Sequence, residues 1–388
     1  MIHPVSLSKP EARRYLLRAQ LLAGPKLPPG PGSVHRVLMR LRAVQVDSID
    51  VAGASQEIAL NSRIEGFQPA GLGAALYADR AGFEYWLKCL CILPVESLPY
   101  QAVRMAHAAA WHAAELADHA ETVRAIFKQI GANGPQCAAD FVDGRRTNRG
   151  WRGNDRLVKR LLELLWDSGR LAIARRRRRV RFYDLAERCY PPHSPRSQAE
   201  YERHTVLDLC RAMGIIGVAG GSSDVWHNVR AHRHAALREM TADGAVFPIS
   251  IEGSARPYFA LSEDRALLDD ARPLDPVTRL LAPLDTALWD RRLVDDVFGF
   301  YRAFEVYKPV EQRLYGYYCL PILHGERLVG RCDLSRSADR AALRVIGVFW
   351  ENGVPPTPEL TSGLAAALRD HARFLGLEGV ELPEARSD

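Results

Sequence analysis

A chain of 388 residues, 47% hydrophobic and 25% charged, exceeds one ordinary core and divides into two to four globular domains. No run of about 18 apolar residues occurs and Met1-Ile2-His3-Pro4 opens no signal peptide, so the expectation is a cytoplasmic protein with no membrane partner. The formal charge of +6 is concentrated: between Arg145 and Arg188 fifteen Arg or Lys face five Asp or Glu, which leaves the remainder net acidic by four and points to a polyanion partner, since each neutralised phosphate releases counterions.

Helical spacing of Ala12, Tyr15, Leu16, Ala19 and Leu22, with Ser8 and Glu11 as a capping box, predicts a helix over 8–23. A Gly/Pro-rich loop follows to Gly32, and Ser33 is expected to cap a second helix carrying Val34, Val37, Leu38 and Leu41. That helix delivers the chain to Gln45 and Asp47, a carboxamide and a carboxylate two apart among Val44, Val46 and Ile49. In an extended segment the two project together; the plainer alternative is a turn at the helix end with Gln45 solvated.

Residues 83–94 read as a buried strand or tight helix stopped by Pro94, and Ala102 to Ala120 as a helix. On that helix His107, His112, Glu115 and His119 are read as a solvated face rather than metal ligands. Seven scattered cysteines, with no C-x-x-C, argue for reduced thiols and against zinc. No metal and no cofactor are expected: no phosphate-binding G-x-x-x-x-G-K-[ST] loop occurs, and no compact carboxylate set for two metals.

From Glu121 the pattern is a helix over 121–130, a short helix through Phe141, an arginine-rich loop and a helix from Asp155 to Ser168 stopped by Gly169. Strand-like Leu171–Ala174 and Val180–Tyr183 then flank Arg175, Arg176, Arg177, Arg178 and Arg179. Three helices and a hairpin make a winged helix with a cationic wing, whose arginines, Arg181 included, suit a duplex backbone or groove. After a linker at Tyr190–Pro195, helices over 195–213 and 227–242 and strands at Ala245–Ile249 and Tyr258–Leu261 repeat that logic. The last third is β-rich at Val306-Tyr307, Tyr315–Leu323, Arg327–Arg331 and Leu343–Val348, a small antiparallel sheet or barrel closed by a helix from Pro358 to Leu375.

Several stretches in this order carry a resemblance: Val44-Gln45-Val46-Asp47-Ser48-Ile49; Gly169 to Arg176 with Phe182 to Arg188; Leu281-Ala282-Pro283-Leu284-Asp285-Thr286-Ala287-Leu288-Trp289-Asp290-Arg291; Tyr315-Gly316-Tyr317-Tyr318; and Pro321 to Arg331. From about Ser8 to Leu377 the chain resembles the AlkZ/YcaQ group of winged-helix DNA glycosylases. The resemblance implies an α+β fold of tandem winged-helix domains scaffolded around a C-terminal β-barrel. It divides the chain into an N-terminal winged-helix-like domain with the catalytic motif (1–118), a second winged helix with the arginine hairpin (119–190), a third winged helix (191–270) and a β-barrel with C-terminal helix (271–388). It further implies excision of cationic alkylated purines from double-stranded DNA, as the family's members perform, some of which also unhook interstrand crosslinks; a carboxylate and a carboxamide in place of a nucleophilic lysine point to a monofunctional enzyme, expected to be a monomer and nucleoid-associated when bound.

In that family a Gln-apolar-Gln or Gln-apolar-Asp pair carries catalysis, and Gln45-Val46-Asp47 matches the Asp form. Where the family has His and then Leu-Trp-Ser-Arg, this chain has Ser55-Gln56-Glu57 and Leu60-Asn61-Ser62-Arg63; where it has a small His/Ala-rich stretch, this chain has Leu87-Lys88-Cys89-Leu90-Cys91. Asp47 suits oxocarbenium stabilisation and general-base work, and Gln45 suits positioning a water. Tyr85 and Trp86 are candidate pocket residues, with core packing the alternative. Lys88 is expected to extend its stem along the surface with its ammonium in water. The competing function is a winged-helix transcriptional regulator without catalysis, which has no need of the Gln45/Asp47 pair.

Overall fold

Ser8 opens the first helix as its neighbours dictate: its hydroxyl accepts from the Glu11 amide, and the Glu11 carboxylate accepts the Ser8 N–H at 2.8 Å. The structure is a computed structural model that describes residues 3–149, 153–218, 225–226, 229 and 231–382. The chain mixes helices and strands in two compact units, one of Met1–Leu72, Trp86–Ile92 and Thr205–Asp388, the other of Gly73–Tyr85 and Leu93–His204.

In the first unit, β1 (Val5–Leu7) leads into α1 (Lys9–Ala19), and α2 (Pro31–Leu41) follows the loop. Helix α2 begins earlier than the Ser33 reading allowed. Gly30 holds its N-cap position without a side-chain bond and Pro31 occupies the first turn, where a fixed φ and a missing N–H cost nothing. Ser33 is instead buried on the face that carries Val34, Val37, Leu38 and Leu41. The helix stops at Arg42, left-handed at φ 56°, whose guanidinium donates to buried Asp208 at 2.9 Å. Next come β2 (Val44–Gln45) and α3 (Ser55–Asn61).

Two strands, β3 (Gly82–Trp86) and β4 (Leu90–Pro94), lead to the second unit's α4 (Leu98–Asp118), α5 (Ala120–Asn133) and α6 (Leu157–Asp167). Helix α6 starts two residues later than expected because Asp155 and Arg156 pair with Thr147 and Arg146 as a short ladder; residues 150–152 of the arginine-rich loop lie outside the described residues. Gly169 ends the helix at φ +70°, and a Cβ there would stand 2.7 Å from the Met105 sulfur, so only glycine fits. The hairpin of β5 (Leu171–Arg177) and β6 (Val180–Leu185) follows. Gln136 bridges to β6, exchanging both backbone bonds with Tyr183 at 2.9 and 2.7 Å. On α4 and α6, His112 meets Asp167 at 2.9 Å and Glu115 pairs with Arg160 at 3.1 Å, contacts that engage two of the helix's four candidate metal ligands.

Helix α7 (Gln198–Met213) returns the chain to the first unit at Thr205, where β7 (Ile215–Gly217), α8 (Arg233–Ala242), β8 (Val246–Ile251) and β9 (Tyr258–Leu261) follow. The expected helix over 227–242 is described from Arg233; residues 227, 228 and 230 lie outside the described residues. Strand β1 joins this segment's sheet, pairing parallel with β8 (Val5 opposite Ile249, Leu7 opposite Ile251) in the order β1-β8-β9-β7. Leu7, Tyr15, Leu16, Ile215, Ile249 and Tyr258 share one core with Leu293 and Val297 of α9 (Arg291–Phe298).

The C-terminal sheet runs β10 (Thr278–Leu280), β11 (Leu320–His324), β12 (Arg327–Arg336), β13 (Ala342–Trp350) and β14 (Gly379–Glu381) in that order. It is a curled half-barrel rather than a closed barrel: edge strands β10 and β14 do not pair, and α10 (Pro358–Phe374) packs against both. Val306-Tyr307 and Tyr315–Cys319, read as strand, are loop. Part of their backbone finds another partner: Glu305 takes the Leu314 and Tyr315 amides at 2.9–3.0 Å, so no ladder is needed to satisfy those two.

Candidate active site and nucleic-acid interface

Strand β2 ends on Gln45 and pairs with β4, with Val44 opposite Ile92 and Gln45 opposite Cys91; the Val46 amide bonds to the Leu90 carbonyl at 2.9 Å, and Asp47 follows just beyond the strand. Gln45 lines a cleft with Ser55, Ala59, Leu284 and Thr286. Its Oε1 is buried and accepts no hydrogen bond from the described residues. A buried acceptor in that condition costs about 1–3 kcal/mol, which a bound donor recovers.

Asp47 is held differently. Its Oδ1 accepts from the Ser48 amide at 2.6 Å and the Ile49 amide at 3.3 Å, and its own amide donates to Gln56 Oε1 at 3.2 Å. The turn of the plainer reading therefore forms, though without the solvated Gln45 that went with it, and it leaves Oδ2 to face the Tyr318 hydroxyl at 3.5 Å. Burial, and then the Asp47 charge, push the Tyr318 phenol well above its ordinary range, so it stays a donor. Sequence reasoning gave neither Tyr318 nor Gln56 a role at the site. The signal was the Tyr315-Gly316-Tyr317-Tyr318 run, legible as a pattern but not as a neighbour of a residue 271 positions away. The side chains of Gln45, at the end of β2, and Asp47, in the turn after it, thus have different neighbours.

Lys88 corrects the surface expectation. It is half-buried, and its Nζ sits 4.7 Å above the ring of fully buried Trp289. Burial lowers its pKa to about 8, against a smaller opposing pull from Cys89. The Cys89 and Cys91 sulfurs lie 3.7 Å apart.

The arginine hairpin departs from a tip of five. Arg175, Arg176 and Arg177 belong to β5, and only Arg178, left-handed at φ 55°, and Arg179 make the turn. Alternation in a strand sends neighbours to opposite faces: Arg175 and Arg177 are exposed, whereas Arg176 turns inward and grips Glu84 through two bonds of 2.6 and 2.5 Å. Burial raises the Glu84 carboxyl, but the Arg176 contacts outweigh it and hold the group below its usual range. Arg175 lies 4.4 Å over Phe182, and half-buried Arg181 lies 5.2 Å from the Trp166 ring. Tyr85 is wholly buried in the second unit, where its hydroxyl donates to the Asp167 carbonyl at 2.5 Å and its ring meets Trp166 edge-on at 5.6 Å. Trp86, half-buried at the end of β3, belongs to the first unit, so the two aromatics fall in different units.

Comparison with known proteins gives two findings. A family model described as DNA glycosylase AlkZ-like matches residues 38–374. Among solved structures the chain is similar to the Streptomyces sahachiroi DNA glycosylase AlkZ, at 17% identity and a TM-score of 0.60 over 98% of this chain and 100% of that one, a likeness of fold.

Proposed function

We infer, since this chain belongs to the AlkZ-like family of DNA glycosylases, that it hydrolyses the N-glycosidic bond of cationic alkylated purines, N7-alkylguanine and N3-alkyladenine, in double-stranded DNA, crosslinked purines included. The observation that carries this reading is the buried Oε1 of Gln45, unsatisfied by the described residues, on the strand that ends two residues before Asp47. An alkylated purine leaves without a general acid because it already carries positive charge. What is left is to stabilise the cationic sugar and aim a water at C1′. Asp47 supplies the charge and takes the water's proton, while Gln45 Oε1 accepts a bond from that water.

The second unit is read as the winged helix that holds the duplex: α5, the turn at Ala138–Asp140, α6 and the β5–β6 hairpin, with the Gln136 bridge as its third strand. The division at 118, 190 and 270 into three winged helices and a C-terminal half-barrel region is the matching functional plan, and the enzyme acts as a monomer on cytoplasmic, nucleoid DNA. The exposed Arg175, Arg177, Arg178 and Arg179 are its phosphate contacts, and Arg176 its internal clamp. Replacing Arg175, Arg177 and Arg179 together by alanine is expected to weaken binding to all sequences alike, lowering the slope of log K against log salt by roughly 0.9 per lost contact. Arg176→Ala is expected to lower stability instead, because it strands the buried Glu84. Anisotropy titrations over a salt series, with thermal melts, separate the two; a loss confined to one DNA sequence would favour a transcriptional regulator.

Incubation with a duplex holding one N7-methylguanine tests the activity, with strand breaks expected only after alkali or heat. Borohydride is expected to trap no covalent adduct, since a water, not an amine, attacks C1′. Lys88, with a pKa near 8, makes this demanding: an adduct absent from Lys88→Ala would move the nucleophile to that lysine. No base release at all would leave a binding protein.

A further inference from the structure

Five of the eleven large hydrophobic side chains exposed among the described residues, Tyr301, Tyr307, Val310, Leu314 and Tyr317, fall between 301 and 317. An exposed apolar cluster usually marks a contact surface, and this one is built to keep its shape. Glu305, nearly buried, ties the two ends of the loop together through the Leu314 and Tyr315 amides and the Lys308 ammonium at 2.9–3.0 Å. Arg331, also buried, lies 4.3 Å from the Phe300 ring and 4.1 Å from the Tyr315 ring, and donates to the Tyr301 carbonyl at 2.8 Å. Gly316, at φ +153°, admits no Cβ, which would fall 2.1 Å from an Asp333 oxygen. A loop fixed by buried charges, with tyrosines left outside, binds at low entropic cost.

The loop is also joined to the site. Tyr307, 90% exposed, meets Phe304 edge-on at 6.2 Å; Phe304 meets Tyr318 at 6.1 Å; and the Tyr318 hydroxyl stands 3.5 Å from Asp47. Three rings therefore lead from solvent to the carboxylate. Arg313, 4.9 Å over the Tyr317 ring, adds positive charge beside them.

We propose that loop 301–317 is the element of this enzyme that enters the DNA stack, with Tyr307 as the ring that wedges against the bases beside the damaged nucleotide. The proposal rests on the glycosylase reading of the Asp47 site and says which residue opens the duplex for it. An exposed aromatic ring stacks on any base and requires no sequence, as suits an enzyme that recognises a lesion. The other occupant such a cluster admits, a protein partner, has no use for a chain of rings ending at Asp47.

The test uses the full-length protein and a duplex with 2-aminopurine next to a single N7-methylguanine, following 2-aminopurine fluorescence on binding and base release in single turnover. Wild type is expected to raise the fluorescence as the stack opens. Tyr307→Ala is expected to lose that rise and to release base roughly tenfold more slowly or worse, with a circular dichroism spectrum and melting temperature like wild type because the side chain is exposed. Tyr307→Phe and Tyr307→Trp are expected to restore both signals. A Tyr307→Ala protein with the wild-type rise and rate overturns the proposal, and so does a Tyr307→Phe protein as impaired as the alanine variant, because the hydroxyl rather than the ring would then matter. If wild type raises the fluorescence but releases no base, the glycosylase reading fails, while the wedge still stands or falls on the Tyr307→Ala fluorescence.

Discussion

Asp47→Asn is expected to slow base release by about a hundredfold or more while duplex affinity stays near wild type. The substitution keeps volume and an oxygen that still accepts the Ser48 and Ile49 amides, so the turn survives. What is lost is the negative charge facing the developing sugar cation and the basicity that takes a proton from water. The surviving oxygen accepts hydrogen bonds but is a poor base, so the deficit falls on the chemical step. Single-turnover release from N7-methylguanine DNA, beside anisotropy on the same duplex, makes the measurement; wild-type turnover by this variant removes Asp47 from the mechanism.

Asp285→Ala is expected to cost about 3–5 kcal/mol of stability, a large part of the roughly 5–15 kcal/mol that holds a domain folded. Both members of its pair with Arg63 have fully buried side chains, and the guanidinium grips the carboxylate through two bonds of 2.7 and 2.9 Å. Removing the carboxylate leaves a buried cation with only the Gln20 and Ala59 carbonyls and the Ser62 hydroxyl as acceptors. It also strips the Ala287 amide of its cap. Asp285→Asn keeps the shape without the charge and should fall between. A urea midpoint unmoved in Asp285→Ala would show that the pair contributes nothing. Arg63 follows α3, the helix that gives Ser55 and Ala59 to the Gln45 cleft, so this loss of stability should reach the site as well.

Local chemistry explains what could be read from residues alone. The Ser8 capping box, the α6 helix with its Gly169 stop and the β5–β6 hairpin are decided within a few residues of chain, and the family likeness read there is borne out by the match over 38–374. The Gln45/Asp47 pair was visible for the same reason, two polar groups at strand spacing in an apolar run. What failed to show were partners brought in from far along the chain. Alternation in β5 says that Arg176 must turn away from Arg175 and Arg177, but not that Glu84, 92 positions away, waits on that side. The loop at 301–319 has the aromatic composition of a strand and is kept from being one by Glu305, which takes two of its amides from within, and by Arg331, 30 positions from the Tyr301 carbonyl it holds. The closure of the barrel was likewise invisible, because it depends on whether β10 and β14 meet edge to edge, and helix α10 covers both instead.

The parallel pairing of Val5 with Ile249 sets an order of events on the ribosome. At roughly 5–20 residues per second, the first strand emerges on the order of 10–50 s before the strand it must join. The second unit is complete once His204 has been made, so it can fold while the first still lacks most of its sheet. Until then Tyr15 and Leu16, wholly buried in the finished protein, have no core to enter. Long-range pairings of this kind slow folding and lengthen exposure. The opening helix therefore stays without its core until Ile251 has been made, and a chain cut short before Ile249 leaves the strand Val5–Leu7 without that partner.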